Sequence, residues 1–464
     1  MIGFGPEESR RAGDYRGWMG GSAGMGLLAN PLNAEDWTRQ YELWRPDLRE
    51  IDVGLFEDMI ERVFRKIYNQ YLLTDAGSSR LVLTIPSLMP HPLLSAILST
   101  LFSRWRFPSI TLLPSATMSA AAAGLRSALV VDLGWAETTV TGIYEYREIT
   151  TKRSTRAMKG ILQETGRLLS RLTSSNEVDE ATTNDITMGF EYCEELVCRL
   201  AWCKPNPGHD GTVRADRTIS IPSPANPEQA YIDVPFSVLA EPSETTFFAP
   251  GIPDNGLDDE EKTIPLLVYN TLLALSPDAR GTCMSRIVFV GGGARIPGLR
   301  QRILHEVSLL IDQHGWSPIR GTAVERQRQR LDELRLLSQS SKGSTEEVQL
   351  SAANKAEPAT TIKKPDSAQE GSEVDFVEQK LRREKKDSPI PVQGVLREVE
   401  TLGPWAGASL VTSLKIRGMV EIERERFMQH GLAGGTRETE HPVQDRRFGL
   451  KAGDRSSWTL TNWA

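Results

Sequence analysis

Two short segments constrain this chain more than any others. Ser127–Tyr146, SALVVDLGWAETTVTGIYEY, joins an apolar run, a DLG turn and an alternating strand. Ser285–Ile303, SRIVFVGGGARIPGLRQRI, is an apolar run that enters three consecutive glycines and then a helix. Short branched apolar runs bounded by glycine read as buried strands. Three glycines let a backbone approach a ligand closely, and successive N–H groups in such loops and at helix N-termini are natural anion cradles. Asp132 ends its strand where a carboxylate could face a hydrated divalent cation. Each motif also has a plainer reading, because a DxG turn is common in hairpins and GGG often serves packing. Together, in this order and about 160 residues apart, they are far more specific.

The rest of the chain alternates strands and helices, which predicts an α/β protein. Leu55, Phe56, Ile60, Val63, Phe64, Ile67 and Tyr71 fall at helical spacing and predict an amphipathic helix over Val53–Leu73. Strands are expected at Leu81–Ile85 and Ile110–Leu113, with helices at about 92–103 and at the Ala-rich stretch 116–124, ended by Gly124. Residues 156–203 read as mostly helical and 208–250 as short strands and turns. A helix at about 261–275 precedes Ser276-Pro277, an N-cap followed by proline at the first helical position. Residues 1–50 show little periodicity.

Composition narrows the class. Of 464 residues, 39% are hydrophobic and 25% charged, which suggests a folded body diluted by a polar segment. That segment lies at about 321–395, where Lys, Glu, Gln, Ser and Pro predominate; 338–386 carries the signature of disorder. A net charge of −7 argues against a nucleic-acid module, which normally shows a basic face. Cys193, Cys198 and Cys203 recur every five residues, so they do not converge on a metal and read as buried reduced thiols. No uncharged apolar run approaches the ~18 residues of a membrane span, so no membrane insertion is expected.

The paired motifs resemble the phosphate and adenosine loops of the actin, sugar-kinase and heat-shock-seventy ATPase superfamily, and the match to actin is closest. YELWRPDLREIDVGLFEDMIERVF (Tyr41–Phe64) is similar to the actin stretch that leaves the second subdomain and enters a helix. LVLTIPSLMP (Leu81–Pro90) is similar to the strand and proline turn that follow. GPWAGASLVTSLKIRGMVEIERERF (Gly403–Phe427) resembles the Trp-Ile-Gly-Gly-Ser segment and the exit of the actin fold. The resemblance implies an actin-like α/β fold with two lobes around a central cleft. The expected division is a first lobe over 1–155, a second over 156–320, a disordered insert over 321–395, a return segment over 396–430 and a polar tail over 431–464. The opening MIGFGPEESRRAGDYR starts inside or after the family's N-terminal hairpin, so the first phosphate loop is expected either to be lost or to lie before Met1.

The resemblance also assigns a nucleotide site and shows where it departs. Asp132, Gly134 and Thr138 match the second phosphate loop, and Gly291, Gly292 and Gly293 the adenosine loop. Trp135 and Ala136 replace the family's Asp and second Gly. Ser115 stands for its water-orienting Gln, Thr139 for the partner His, and Thr401 for the adenine-side Lys. Water positioning and charge stabilisation supply most phosphoryl-transfer catalysis, and both are depleted. The expectation is therefore a non-enzyme that requires no cofactor, with ATP or ADP and Mg at most held without turnover. The implied role is an actin-related structural subunit, with the actin-like filament subunits and other pointed-end subunits of dynactin as partners. The alternatives are a nuclear actin-related subunit of a chromatin complex and a weakly active ATPase.

Overall fold

A computed structural model describes residues 27–39, 41–43, 45, 48–49, 51–173, 185–204, 217–222, 231–252, 256–316, 394–414 and 421–435. The chain divides into two units: residues 1–313 with 393–464, and residues 314–392, of which only 314–316 are described. The expected insert, the opening segment before Leu27 and the tail beyond Gly435 lie outside the described residues.

The described strands are β1 (Leu27–Leu32), β2 (Leu81–Ile85), β3 (Ser109–Pro114), β4 (Ala128–Leu133), β5 (Thr138–Tyr144), β6 (Arg147–Ser154), β7 (Ile186–Met188), β8 (Thr218–Pro222), β9 (Tyr231–Pro235), β10 (Ile287–Val290) and β11 (Glu421–Glu423). The helices are α1 (Ala34–Arg39), α2 (Val53–Ile67), α3 (His91–Ser103), α4 (Ser115–Ala122), α5 (Met158–Thr173), α6 (Phe190–Leu200), α7 (Glu241–Phe247), α8 (Ile264–Ala274), α9 (Pro277–Met284), α10 (Leu299–His314), α11 (Pro404–Ser413) and α12 (Arg424–His430).

The central sheet runs β10-β4-β5-β6. β10 is parallel to β4, with Val290 opposite Asp132, and β4 is antiparallel to β5, with Asp132 opposite Thr139. Its strands are as apolar as their sequence: Ala128, Val130, Ile143, Val288 and Val290 pack with Ala116 and Ala120 of α4 in one core cluster. This sheet spans the expected lobe boundary at 155/156. β4–β6 lie before that boundary and β10 after it, yet they share one ladder.

A second sheet, β11-β3-β2, carries the other large core, which includes Phe56, Ile60, Leu98, Phe102 and Phe107. The return segment joins both sheets. Arg397 and Val399 bond to Ile287, Ile422 pairs with Ile110, and Thr401 Oγ1 donates to the Ser119 carbonyl at 2.7 Å. α11 lies directly against α4. A Cβ at Gly407 would sit 1.9 Å from the Met118 carbonyl oxygen, so only glycine allows that approach.

Other differences from the sequence reading have local causes. The Val53–Leu73 helix ends at Ile67, passes through a wide turn at Tyr68–Leu72 and stops at Leu73 in the left-handed region (φ 49°). Its start is sharper than expected, because the Asp52 side chain accepts from the Gly54 and Leu55 amides. Ser276 precedes α9 but makes no side-chain cap. Residues 27–39 hold β1 and α1, where no periodicity was legible, because these elements are short and held by contacts distant in sequence. The 208–250 stretch ends in α7 rather than in turns alone. Of the three spaced cysteines, Cys193 and Cys203 are buried but Cys198 is exposed.

Candidate functional site

The parallel pairing of β4 and β10 brings the two glycine loops side by side at the same strand ends. Gly291 follows β10 with φ +85°, and a Cβ there would lie 2.4 Å from the Leu133 carbonyl oxygen and 2.6 Å from Asp132 Oδ1. A Cβ at Gly293 would lie 2.9 Å from Met158 Sδ and 3.0 Å from Leu133 Cβ. A Cβ at Gly134 would meet the Glu137 carbonyl oxygen at 2.7 Å, and that oxygen accepts from the Gly134 amide at 3.2 Å. Gly291 and Gly134 are therefore required by the chain's own backbone packing, whereas a methyl at Gly293 would press mainly on the flexible Met158 side chain. Gly292 differs: it is exposed, its backbone is helical (φ −63°, ψ −40°), and a Cβ there would touch nothing within 4 Å.

Asp132 sits at the end of β4, where burial alone raises its carboxyl above the ordinary range. Glu137, across the same turn, is also raised, chiefly by burial. Arg153 at 3.9 Å opposes that rise, while Asp132 and Glu260 reinforce it. The turn therefore presents two carboxyls, which repel a phosphate unless a cation intervenes. Among the described residues, no group of three or more His, Cys, Asp or Glu could hold a metal ion.

Thr138 turns away from the loop, because its hydroxyl donates to the Arg156 carbonyl at 2.7 Å. Thr139 faces Asp132 across the ladder, and Ser115 opens α4, where its carbonyl accepts from Ser119 Oγ at 2.8 Å. Thr401 is committed to Ser119 and to the Gly403 amide. The structure thus brings Asp132, Gly134, Gly291 and Gly293 together, leaves Gly292 open, and diverts Thr138.

Trp135 is the decisive departure. Its ring meets Phe190 edge-on at 5.8 Å, and its indole Nε1 is buried with no partner among the described residues. Phe190 also stacks on Tyr41 (3.7 Å, 9°) and contacts Trp37 (5.2 Å). The loop position that the family uses for a carboxylate is thus built into an aromatic cluster. With Trp135 turned to Phe190, Thr138 spent on Arg156 and a Cβ at Ala136, the described loop does not fit a hydrated metal and a row of phosphates. Sequence reasoning flagged Trp135 but missed Trp37, Tyr41 and Phe190, because they lie about 100 and 55 residues from it in sequence. Glu148 was missed as well. It is a buried carboxyl raised by burial, against the opposing Ser87 and Thr117 hydroxyls.

The fold is actin-like, and residues 51–173, which include the 134–137 loop, match the family model for actin. The chain is similar to several actin-related proteins. It is 24% identical to actin-related protein 2 of Saccharomyces cerevisiae over 278 residues, covering 60% of this chain and 63% of that protein. It is 23% identical to actin-related protein 2 of Arabidopsis thaliana over 253 residues, 54% of this chain and 61% of that one. Against actin-related protein 10 of Dictyostelium discoideum it is 22% identical over 269 residues, 53% and 56% of the two chains. The chain thus spans under two thirds of the length of the curated relatives it matches.

Proposed function

We propose that this chain is a non-catalytic actin-related subunit that caps the pointed end of a dynactin-type actin-like filament and so supports dynein-driven transport along microtubules. Trp135 carries the reading, because it gives the second phosphate loop a packing role in place of a ligand role. Similarity to actin-related proteins 2 and 10 supports an actin-superfamily structural protein. In this reading the partners are filament subunits and other pointed-end subunits, and the chain sits in the cytoplasm with the cytoskeleton. Nucleotide is not required, and ATP or ADP with magnesium, if held, is held without turnover. In this reading the glycine-rich sequence Asp14–Asn33 and the polar sequence 321–395 would change what a further subunit meets, turning a repeating head-to-tail contact into a terminal one.

Affinity purification of the tagged full chain, read by mass spectrometry, tests the assignment. Dynactin filament and pointed-end subunits are expected. Recovery of chromatin-remodelling subunits would replace this reading with the nuclear one. Sedimentation with magnesium ATP tests the terminal role, since filaments formed by the chain alone would remove it. Magnesium-dependent turnover lost in Asp132→Ala would make the chain an ATPase.

A further inference from the structure

Residues 27–39 and 41–43 cross onto β7, α5 and α6 as a strap. β1 pairs antiparallel with β7, and Trp37, only 2% exposed, donates from Nε1 to the Met188 carbonyl at 2.7 Å. Tyr41 stacks flat on Phe190, and its hydroxyl donates to Glu191 Oε1 at 2.7 Å. Lys159 Nζ lies 2.7 Å from both Glu35 Oε2 and Glu42 Oε1, and the Glu42 side chain is 3% exposed. The same two anchors reach the candidate loop. Phe190 carries the Trp135 edge, and the Lys159 amide donates to the Trp135 carbonyl at 2.9 Å.

We propose that Phe190 and Lys159 form a fixed clamp between this strap and the 134–137 loop, in which Trp135 is a positioning residue that holds the strap in place of a bound anion. Aromatic pairs of this geometry contribute beyond their buried area, and the Lys159 contacts to Glu35 and Glu42 are charge-assisted, the second at a buried carboxylate. An orphan buried N–H on Trp135 is unfavourable, so the ring contact is what holds this side chain there. The consequence is a strap whose order is set by the rings and is indifferent to nucleotide. That consequence is independent of whether the chain caps a filament.

Hydrogen–deuterium exchange of the full chain tests it, following peptides from 27–45 against α2 as an internal control. In the parent, 27–45 should be protected and unchanged by magnesium ATP. Trp135→Asp and Phe190→Ala should each speed exchange there at least tenfold while α2 stays protected, and Trp135→Phe should restore the parent rate. If Phe190→Ala also unfolds α2, Tyr41→Ala decides, because it removes a ring from the strap alone. A strap that exchanges as fast in the parent as in Tyr41→Ala overturns the clamp, as does a parent strap whose protection rises with magnesium ATP.

Discussion

The two glycine loops at the ends of β4 and β10 look alike in sequence and differ in what surrounds them. In the 291–293 loop, Gly291 is locked against the Leu133 backbone, Gly293 lies close to the Met158 side chain, and Gly292 faces open space. In the 134–137 loop, the glycine is locked and its neighbour Trp135 is turned into an aromatic cluster. Glycine in such a loop therefore does not by itself report a ligand. Strands that pair in parallel and end together force their exit loops into van der Waals contact, and glycine is the residue that permits it. A ligand role has to be sought at the position that packing does not explain, and here that position is Gly292.

Gly291→Ala should break this comparison most severely. It needs a positive φ and would place a methyl 2.4 Å from backbone. Neither can be relieved by rotating a side chain, so a loss of about 3 kcal/mol or more is expected, read as a large fall in melting temperature. An unchanged melting temperature would mean that the loops do not meet as described.

Asp132→Asn should act in the opposite direction. A carboxyl whose folded pKa lies above its unfolded value binds its proton more tightly in the native state. Folding is then penalised at pH above the folded value, and the penalty disappears as pH falls below the unfolded one. Since burial alone raises Asp132, the amide, which carries no charge to desolvate, should stabilise the chain at pH 7. It should also flatten the stability gain otherwise seen on acidification towards the ordinary carboxylate range. Destabilisation at neutral pH would instead identify a bound cation that the carboxylate serves.

Trp135→Phe should give a smaller gain. It keeps a ring against Phe190 and removes the orphan Nε1, so the melting temperature should stay level or rise by the equivalent of about 1 kcal/mol. A clear fall would show that the indole N–H has an acceptor.

What was legible in the sequence follows from range. β4 and β10 announced themselves because each is a short apolar run ended by glycine, β5 because it alternates after a DLG turn, and the helix expected over Val53–Leu73 because its periodicity is local. The aromatic cluster was not legible, since Trp37, Tyr41, Trp135 and Phe190 come from three separate segments and no spacing rule joins them. The sharing of one sheet by β4–β6 and β10 was hidden for the same reason. Chain order suggests a boundary near 155, whereas strand pairing ignores it. At the site, the strand ends and glycines that place Asp132 beside Gly291 are local features, whereas the bond from the Thr138 hydroxyl to the Arg156 carbonyl spans 18 residues and no local pattern announces it.

Gly292→Ala has the smallest expected effect and sharpens the comparison most. The residue already has helical dihedrals at the start of a turn, Gly293–Arg295, so alanine needs no strained backbone. Its methyl would enter space with no neighbour within 4 Å, so nothing has to move. Alanine lowers the entropy of the unfolded chain, and at a compatible site this stabilises by about 0.4–1 kcal/mol. If the loop is only a packing device, the variant should gain that amount in denaturant unfolding at an unchanged slope. Any weak magnesium nucleotide binding seen by calorimetry in the parent should also be unaltered. If the open face instead receives an anion, the methyl stands in its path. Stability without ligand should then still rise while nucleotide binding weakens, and that split would assign to Gly292 the ligand role that the other glycines of these two loops do not have.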